Sequence, residues 1–515
     1  MAFGGPLILA AAALASPSDL DSVGVTLLRQ VDSLLIGTGV KVAQTEATVG
    51  GNAFEVNPAF PGQPASLFAW ISSAGTATTF TNTAGVESWH ADDVAANFYG
   101  VSAGVAPGVS HVDNYDASYF YNNIINSANP PAIAARAVNQ SFTFAAGNES
   151  TVDSAYDNYA AKNGTIFVSG VGNGGAVLPP GTAYNSIGAG IYGSSSSVGP
   201  TTNGRSKPDL VAPDLANDPY QADSFAIPYV TGSAALLLQA ASRGDGGANT
   251  SAAGDLRLIK AILLNGAIKP ADWTNGVTTP LDARFGAGIV NVFNSWMQLK
   301  GGQHAFVETS SNVSGGSHPP GASTNNEPAL AGWDLNSITN ARSGLAYKES
   351  VNHYYFRLSG PNAFSLTATL VWHRQQNQTS VNDLNLFLYD TANSNLVAHS
   401  VSTVDNVEHI FLPSLPPGRY DLQVQKNPIG QVSTSETYAL AFEFFNLKLS
   451  LSQSGTNLVL SWPLAPAGFR LVSTASLSPP IVWTTASATI AISNDQNVAV
   501  IPPSANGQFF RLQRP

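Results

Sequence analysis

The feature that most constrains this chain is the passage from Ser196 to Ala240. A polar loop, SSSSVGPTTNGRSKPDLVAP, leads to one serine, Ser224, and an apolar, alanine-rich run containing SAALLLQAA follows it with helical periodicity. Such a run reads as a buried helix. A serine at its start sits where unpaired backbone N–H groups and the helix dipole favour developing negative charge. Helix-start serines commonly serve as N-caps. Two other segments point instead to a nucleophile.

The first is Trp89-His90-Ala91-Asp92-Asp93-Val94-Ala95-Ala96, followed by Gly104-Val105-Ala106-Pro107. Its histidine opens a short helical run of small residues, so the ring can project from a helix start into a cleft. The second is Gly164-Thr165-Ile166-Phe167-Val168-Ser169-Gly170-Val171-Gly172-Asn173-Gly174-Gly175. It reads as a buried strand ending in a glycine-rich turn around one asparagine. A side-chain amide there can donate to an oxyanion, and the glycines let a substrate approach the backbone. Gly170-x-Gly172-x-x-Gly175 also fits a dinucleotide-binding pattern, but a helix should open at once, and Pro179-Pro180 forbids a continuous one.

With these three segments in order, the chain resembles the subtilisin-like serine proteases. That family carries His-Gly-Thr-His-Val-Ala-Gly, an Ala-Gly-Asn turn and Gly-Thr-Ser-x-Ala-x-Pro; here they appear as HADDVAA, VGN and ADSFAIP. GVAP, VNQSF, LIKAILLNGA and FGAGIVN are supporting matches, and the resemblance covers roughly residues 36 to 302. It implies His90 as general base, Ser224 as nucleophile and Asn173 as side-chain oxyanion donor. It also implies a substrate cleft lined by segments 139–143 and 169–172, with Ser141, Phe142, Ser169, Gly170, Val171 and Gly172 as contacts.

The acidic partner departs from the family pattern. The family ends its first core strand on aspartate; the matching strand here, Gly37 to Glu46, ends on glutamate. A carboxylate at that place accepts the histidine Nδ1 hydrogen, holds one tautomer and stabilises the imidazolium. Glutamate serves this role on other hydrolase folds. Asp92 and Asp93 fall in the first turn after His90, where acids commonly complement the helix dipole, and Asp32 precedes the strand. Glu46 is therefore the expected acid. Ala222-Asp223 replaces the family's Gly-Thr before the serine, and a carboxylate beside a developing oxyanion opposes it unless it points away. Asp214, where the family has glycine, is a milder change.

The chain has 515 residues, enough for about three domains. Hydrophobic residues make up 44%, ample for a core, while charged residues are 11% against about 25% in typical soluble domains. A net charge of −11 argues against nucleic acid as a partner. The absence of cysteine excludes disulfides, a thiol nucleophile and thiolate metal sites. The first 15 residues, an apolar stretch ending in Ala13-Leu14-Ala15, lack a positive n-region and are too short to span a membrane; they read either as a weak signal peptide or as the result of a misassigned start codon. Export to a secreted or cell-surface location is the expectation. About twenty residues separate this segment from the first core strand, where many exported relatives carry an inhibitory prodomain; the expectation is that such a prodomain is lacking or that the start of the sequence is truncated.

Residues 16–302 alternate apolar strands with helical runs and predict a parallel α/β sheet. Strands are expected at 39–45, 109–113, 136–142 and 165–169, and helices at 226–241 and 255–266. Residues 311–328 read as a linker. From there to 446, strands at 354–358, 365–372, 384–389, 409–412 and 419–425 predict a β-sandwich of jelly-roll or P-domain-like type. Residues 447–515 read as a small β module. Val381 to Asn385 offers oxygen atoms to a structural calcium, or is a polar strand entrance; Trp462 and Trp483 suggest carbohydrate stacking, or buried core aromatics. The expected activity is serine endopeptidase action on polypeptides, needing no cofactor for its chemistry and carrying no transmembrane span. Two other readings are a catalytically impaired binding or adhesion protein on the same scaffold, and an esterase-like acyl transferase.

Overall fold

The computed structural model describes residues 18–213, 222–306, 329–339, 351–427, 429, 431–502 and 507–513. The expected signal segment, Asp214 and the expected linker at 311–328 lie outside these residues. Chain contacts divide the protein into two compact units, residues 18–444 and the segment from Phe445 onward.

The first unit opens with two short helices, α1 (Asp19–Ser22) and α2 (Val25–Val31), and then the first core strand, β1 (Lys41–Glu46). Gly37 and Gly39 both have positive φ, so the strand begins two residues later than expected and ends on Glu46. Strands β2 (Ala53–Glu55) and β5 (Val86–Glu87) form a small parallel pair flanking the hairpin β3 (Phe68–Ser72) and β4 (Gly75–Ala77). Helix α3 (Trp89–Tyr99) leads to β6 (His111–Asp116), the helical turn α4 (Ala117–Tyr119) and β7 (Ala137–Gln140). Then come α5 (Glu149–Asn163), β8 (Ile166–Gly170), β9 (Ile187–Tyr192) and β10 (Leu210–Pro213). Helices α6 (Asp223–Ser242), α7 (Thr250–Ala253), α8 (Leu256–Asn265) and α9 (Val292–Lys300) complete this part.

The main sheet has the order β10-β9-β8-β7-β1-β6-β3-β4, parallel except for the β3–β4 hairpin. β1 is buried from Val42 to Glu46, as parallel strands covered on both faces are. It has β6 on one side and β7 on the other. Strand order reverses there, and reversal in a parallel sheet opens a crevice beyond the carboxyl ends of the strands. Glu46, Ser141 and Asn173 all lie just at or past such ends.

Helix α6 is the core helix: its side chains are buried without a break from Phe225 to Ala241. It is the one helix among the described residues long and apolar enough to cross a membrane, and its burial against the sheet accounts for that composition. Burying a single leucine there contributes about 1.5–3 kcal/mol, so the run Leu236-Leu237-Leu238 alone is a substantial part of what holds the helix in place.

Eight further strands follow: β11 (Ala331–Thr339), β12 (Val351–Leu358), β13 (Phe364–Trp372), β14 (Leu384–Asp390), β15 (Asn395–Ser400), β16 (Val407–Leu415), β17 (Gly418–Lys426) and β18 (Ser435–Phe445). They pair as two antiparallel sheets, β11-β18-β13-β16 and β12-β17-β14-β15, which is the strand order of a jelly roll. Alternate residues such as Leu366, Leu386, Leu422 and Leu440 fill the space between the sheets. This sandwich is bonded to the α/β part. Thr367 and Thr369 donate to Asn265 Oδ1, Asn185 pairs with the Arg374 backbone in both directions, and Ser206 N–H donates to Asp405. The Arg374 guanidinium also meets the buried Asp157 carboxylate at 2.8 Å.

The second unit consists of two small sheets, one of the four strands Ser450–Ser454, Asn457–Pro463, Gln496–Ile501 and Ile490–Ser493, the other of Thr484–Thr485, Arg470–Thr474 and Phe509–Gln513. Trp462 is part of its small core with Leu460, Leu471 and Ile501, while half-buried Trp483 carries the Arg511 guanidinium over its ring at 4.3 Å.

Candidate active site

Ser88 caps α3: its hydroxyl accepts from the Ala91 N–H, which sets the helix to begin at Trp89 and puts His90 in the first turn. There His90 Nδ1 meets Glu46 Oε2 at 2.8 Å. Glu46 is fully buried and the His90 side chain is 16% exposed, so the Nδ1 end of the ring is bonded inward while part of the ring remains open to solvent. The second carboxylate oxygen, Oε1, accepts from Gln44 Nε2 at 2.7 Å. Gln44 is fixed in turn by donating to the Ala91 carbonyl and by accepting the Tyr99 hydroxyl at 2.6 Å. Burial, then Glu46 and Asp92, hold the Tyr99 hydroxyl far above its ordinary pKa, so it remains a donor. Both carboxylate oxygens are thus occupied, and the glutamate side chain reaches the ring from the end of β1.

Burial works to lower the pKa of His90, but the Glu46 charge and hydrogen bond, with Asp93 and Asp223 behind them, outweigh it and raise the value above 6.5. Asp92 does more than face the helix dipole. It is buried, its Oδ1 accepts the Asn57 N–H at 2.7 Å, and burial, opposed by that bond, pushes its carboxyl up to about 7.

Ser224 is the second residue of α6. The N-cap is Ala222, which provides no side-chain bond, so Ser224 is not the cap that its position in the sequence allows. Pro228 lies inside this helix and has no N–H, which leaves the carbonyl four residues earlier, that of Ser224, without its helical partner. The Ser141 hydroxyl fills the vacancy, donating to the Ser224 carbonyl at 2.7 Å, while Ser224 Oγ donates to the Ser141 carbonyl at 3.3 Å. Asn139 donates to Ser141 Oγ and accepts from Thr231, so β7 and α6 are tied together directly beneath the serine. The His90 ring packs 5.4 Å from the ring of Phe225, the residue after Ser224.

Asn173 is exposed, and its Oδ1 accepts the Asp223 N–H at 2.8 Å, so the amide nitrogen is the end left available to a ligand. The Asp223 carboxylate points away from that amide, into the protein, where Oδ2 accepts the Gly172 N–H at 2.6 Å. Burial pushes this carboxyl up to about 6, against the pull of the Gly172 and Ser224 N–H groups and of His90.

Around this centre the expected cleft residues divide. Phe142 is half-buried beside Phe144, with ring centroids 5.8 Å apart, and can present a wall. Ser169 is fully buried and bonded to Gln140, and Val171 is fully buried, its backbone bonded to Ala189 and Leu178; their side chains do not face the crevice. Past Gly175 the chain runs through a bridge and turns rather than a helix, in line with the exclusion of a dinucleotide site.

No group of three or more His, Asp or Glu side chains among the described residues is placed to hold a metal ion. At 381–385, Asn382 is bonded to Glu436, Ser433 and Val432, and Asp383 Oδ2 accepts from Asn427, while Asp383 Oδ1 is buried without a hydrogen-bond partner among the described residues.

Residues 71–288 match the model of the subtilase family. This segment is a subtilase domain. The match contains His90, Asn173 and Ser224 and begins after Glu46. Among curated proteins no sequence match is found. Among solved structures, tripeptidyl peptidase 2 aligns at 12% identity and a TM-score of 0.32, over 83% of this chain and 52% of that one. This chain therefore spans about half the length of that structure. The dimeric latent PorU of Porphyromonas gingivalis aligns at 9% identity and a TM-score of 0.15, over 35% of this chain and 20% of its own. A putative alpha-L-fucosidase of Bacteroides ovatus aligns at 13% identity and a TM-score of 0.14, over 35% of this chain and 34% of its own. The subtilase match supports serine peptidase chemistry, and with it polypeptide substrates.

Proposed function

We propose that the protein is a serine endopeptidase working through a Glu46–His90–Ser224 triad, with Asn173 as oxyanion donor. The observation that carries this reading is the 2.8 Å contact between a fully buried Glu46 and His90 Nδ1, made beside a serine at the start of a buried helix. Glu46 fixes the tautomer, so that His90 Nε2 is the basic nitrogen and faces the crevice. Attack requires the Ser224 hydroxyl to turn from the Ser141 carbonyl to His90. Hydrogen bonds of this kind are often loose before substrate binds. His90 takes the proton as Oγ bonds to the peptide carbonyl carbon, and the carbonyl oxygen, now anionic, accepts from Asn173 Nδ2. His90 then passes its proton to the leaving amine as the C–N bond breaks. Water, deprotonated by His90, releases the acid and restores Ser224.

Location outside the cell is part of the proposal and rests on the apolar, A-x-A-ending start of the sequence. Recovery of the protein from the medium with an N-terminus near residue 16 is the expected result, and retention in the cytoplasm with Met1 intact would contradict it.

The test of the activity is hydrolysis of unstructured casein together with labelling by a fluorophosphonate. Wild type should do both, and Ser224→Ala should lose both, with a fall on the order of 10⁶-fold in kcat. A folded wild type that takes no label and cleaves nothing would overturn the proposal in favour of a binding protein on the subtilase scaffold. Label uptake with ester but not peptide hydrolysis would move the activity to acyl transfer.

A further inference from the structure

From the sequence, Asp223 is a threat to the site: a carboxylate next to the atom that must gain negative charge. The structure gives it two bonds that turn this around. Its N–H holds Asn173 Oδ1 at 2.8 Å, and its Oδ2 holds the Gly172 N–H at 2.6 Å. Gly172 has φ +111°, a conformation that L side chains rarely adopt, so the turn presenting Asn173 depends on partners to keep it in place. The carboxylate fits where it does because residue 170 is glycine: a Cβ there would stand 3.1 Å from Asp223 Oδ2 and 2.7 Å from Ile227 Cδ1.

We propose that Asp223 is a positioning residue of this reaction, pinning the Gly172-Asn173 turn to the start of the nucleophile helix and setting, by its charge beside His90, the pH at which activity appears. The proposal rests on the peptidase reading above. The groups around Asp223 are few. From α3 the charged group acting on it is His90; from the turn after β8 it meets the Gly172 N–H, from its own helix the Ser224 N–H, and Ile227 lies with it against Gly170. Glu46 and Asp93 act on His90 rather than on Asp223. When Asp223 is ionised it favours imidazolium and so delays the appearance of the free base as pH rises. Its own carboxyl, pushed up to about 6, ionises close to the range in which His90 loses its proton.

The experiment is the pH profile of kcat/KM for Asp223→Asn, which removes the charge but keeps an oxygen for the Gly172 N–H. The acid limb should move to lower pH by roughly 0.5 to 1 unit, the effect of removing one negative charge that favours the imidazolium. A limb left in place overturns the proposal and leaves Asp223 a structural residue. Asp223→Ser carries the same test should the asparagine variant fail to fold, since its hydroxyl can also accept that N–H. Thermal unfolding provides a readout independent of activity. The folded pKa lies above the unfolded value of 3.8, so the stability Asp223 contributes is present below about pH 4 and is lost as pH rises through about 6. The variant should therefore gain in Tm on wild type across that window; equal slopes would contradict the buried ionisation. If wild type takes no fluorophosphonate at any pH, the peptidase reading itself fails. If it is labelled and the limb does not move, this inference alone fails.

Discussion

The acid–base half of the site and the nucleophile half are built on different terms. Glu46 and His90 are locked: both carboxylate oxygens are bonded, one of the two bonds runs through Gln44 to Tyr99, and both supporting side chains are buried. Ser224 and Asn173 are held by their backbone and amide oxygen, and their reactive atoms are not committed to each other or to His90. Ser224 Oγ rests at 3.3 Å on the Ser141 carbonyl, and the Asn173 nitrogen is exposed. Charge is preorganised before substrate arrives, while the groups that touch substrate are left to be completed by it. Preorganised electrostatics cost no reorganisation at the moment of reaction, which is why the carboxylate that orients and stabilises His90 sits in the locked half.

Changes to each half should show this difference. Glu46→Gln keeps the shape and removes the charge that holds the histidine tautomer. Its expected cost is about 10⁴-fold in kcat, with KM little changed. Loss of less than tenfold would mean that another acid, Asp92 or Asp93, orients His90. On the nucleophile side, Asn173→Ala should lower kcat about 10²- to 10³-fold, the usual value of one oxyanion donor. A change confined to KM would show that the amide binds substrate without meeting the oxyanion. The smallest effect is expected at Tyr99→Phe. It removes one hydrogen bond from the chain behind Glu46, worth about 0.5–1.5 kcal/mol, and so a few-fold to roughly tenfold in kcat. No effect on kcat, with only Tm lowered, would reduce that chain to a packing device.

Much of this site is legible in the sequence, and the reasons are local. Glu46 ends an apolar strand, His90 begins a helix of small residues, and Ser224 begins a long apolar one; each follows from pattern and position. What is not legible depends on register between distant elements. Gln44 reads as one polar residue in a buried strand, and its link to Tyr99 exists because β1 packs against α3 across 55 residues of sequence. Ser141 reads as part of a cleft wall, yet its hydroxyl serves the carbonyl that Pro228 leaves free. The direction of the Asp223 side chain could not be read either, because it depends on the missing Cβ of Gly170, more than fifty residues away. The burial of Ser169 and Val171 is not legible either: Ser169 lies on a strand buried along its whole length, Val171 directly follows it, and both side chains are fully buried. The jelly roll is legible as strands and not as an attached body, since its bonds to Asn265, Asn185 and Asp157 join residues whose polarity alone gives no partner.

The most direct measurement of the central claim is the rate at which a fluorophosphonate labels Ser224 as a function of pH, in wild type and in Glu46→Gln. The account predicts rapid labelling of wild type that falls away as pH drops through the raised pKa of His90, above 6.5, and labelling slowed by several orders of magnitude in the variant at every pH. Equal labelling rates in the two proteins would contradict it, because Glu46 would then have no part in activating the serine.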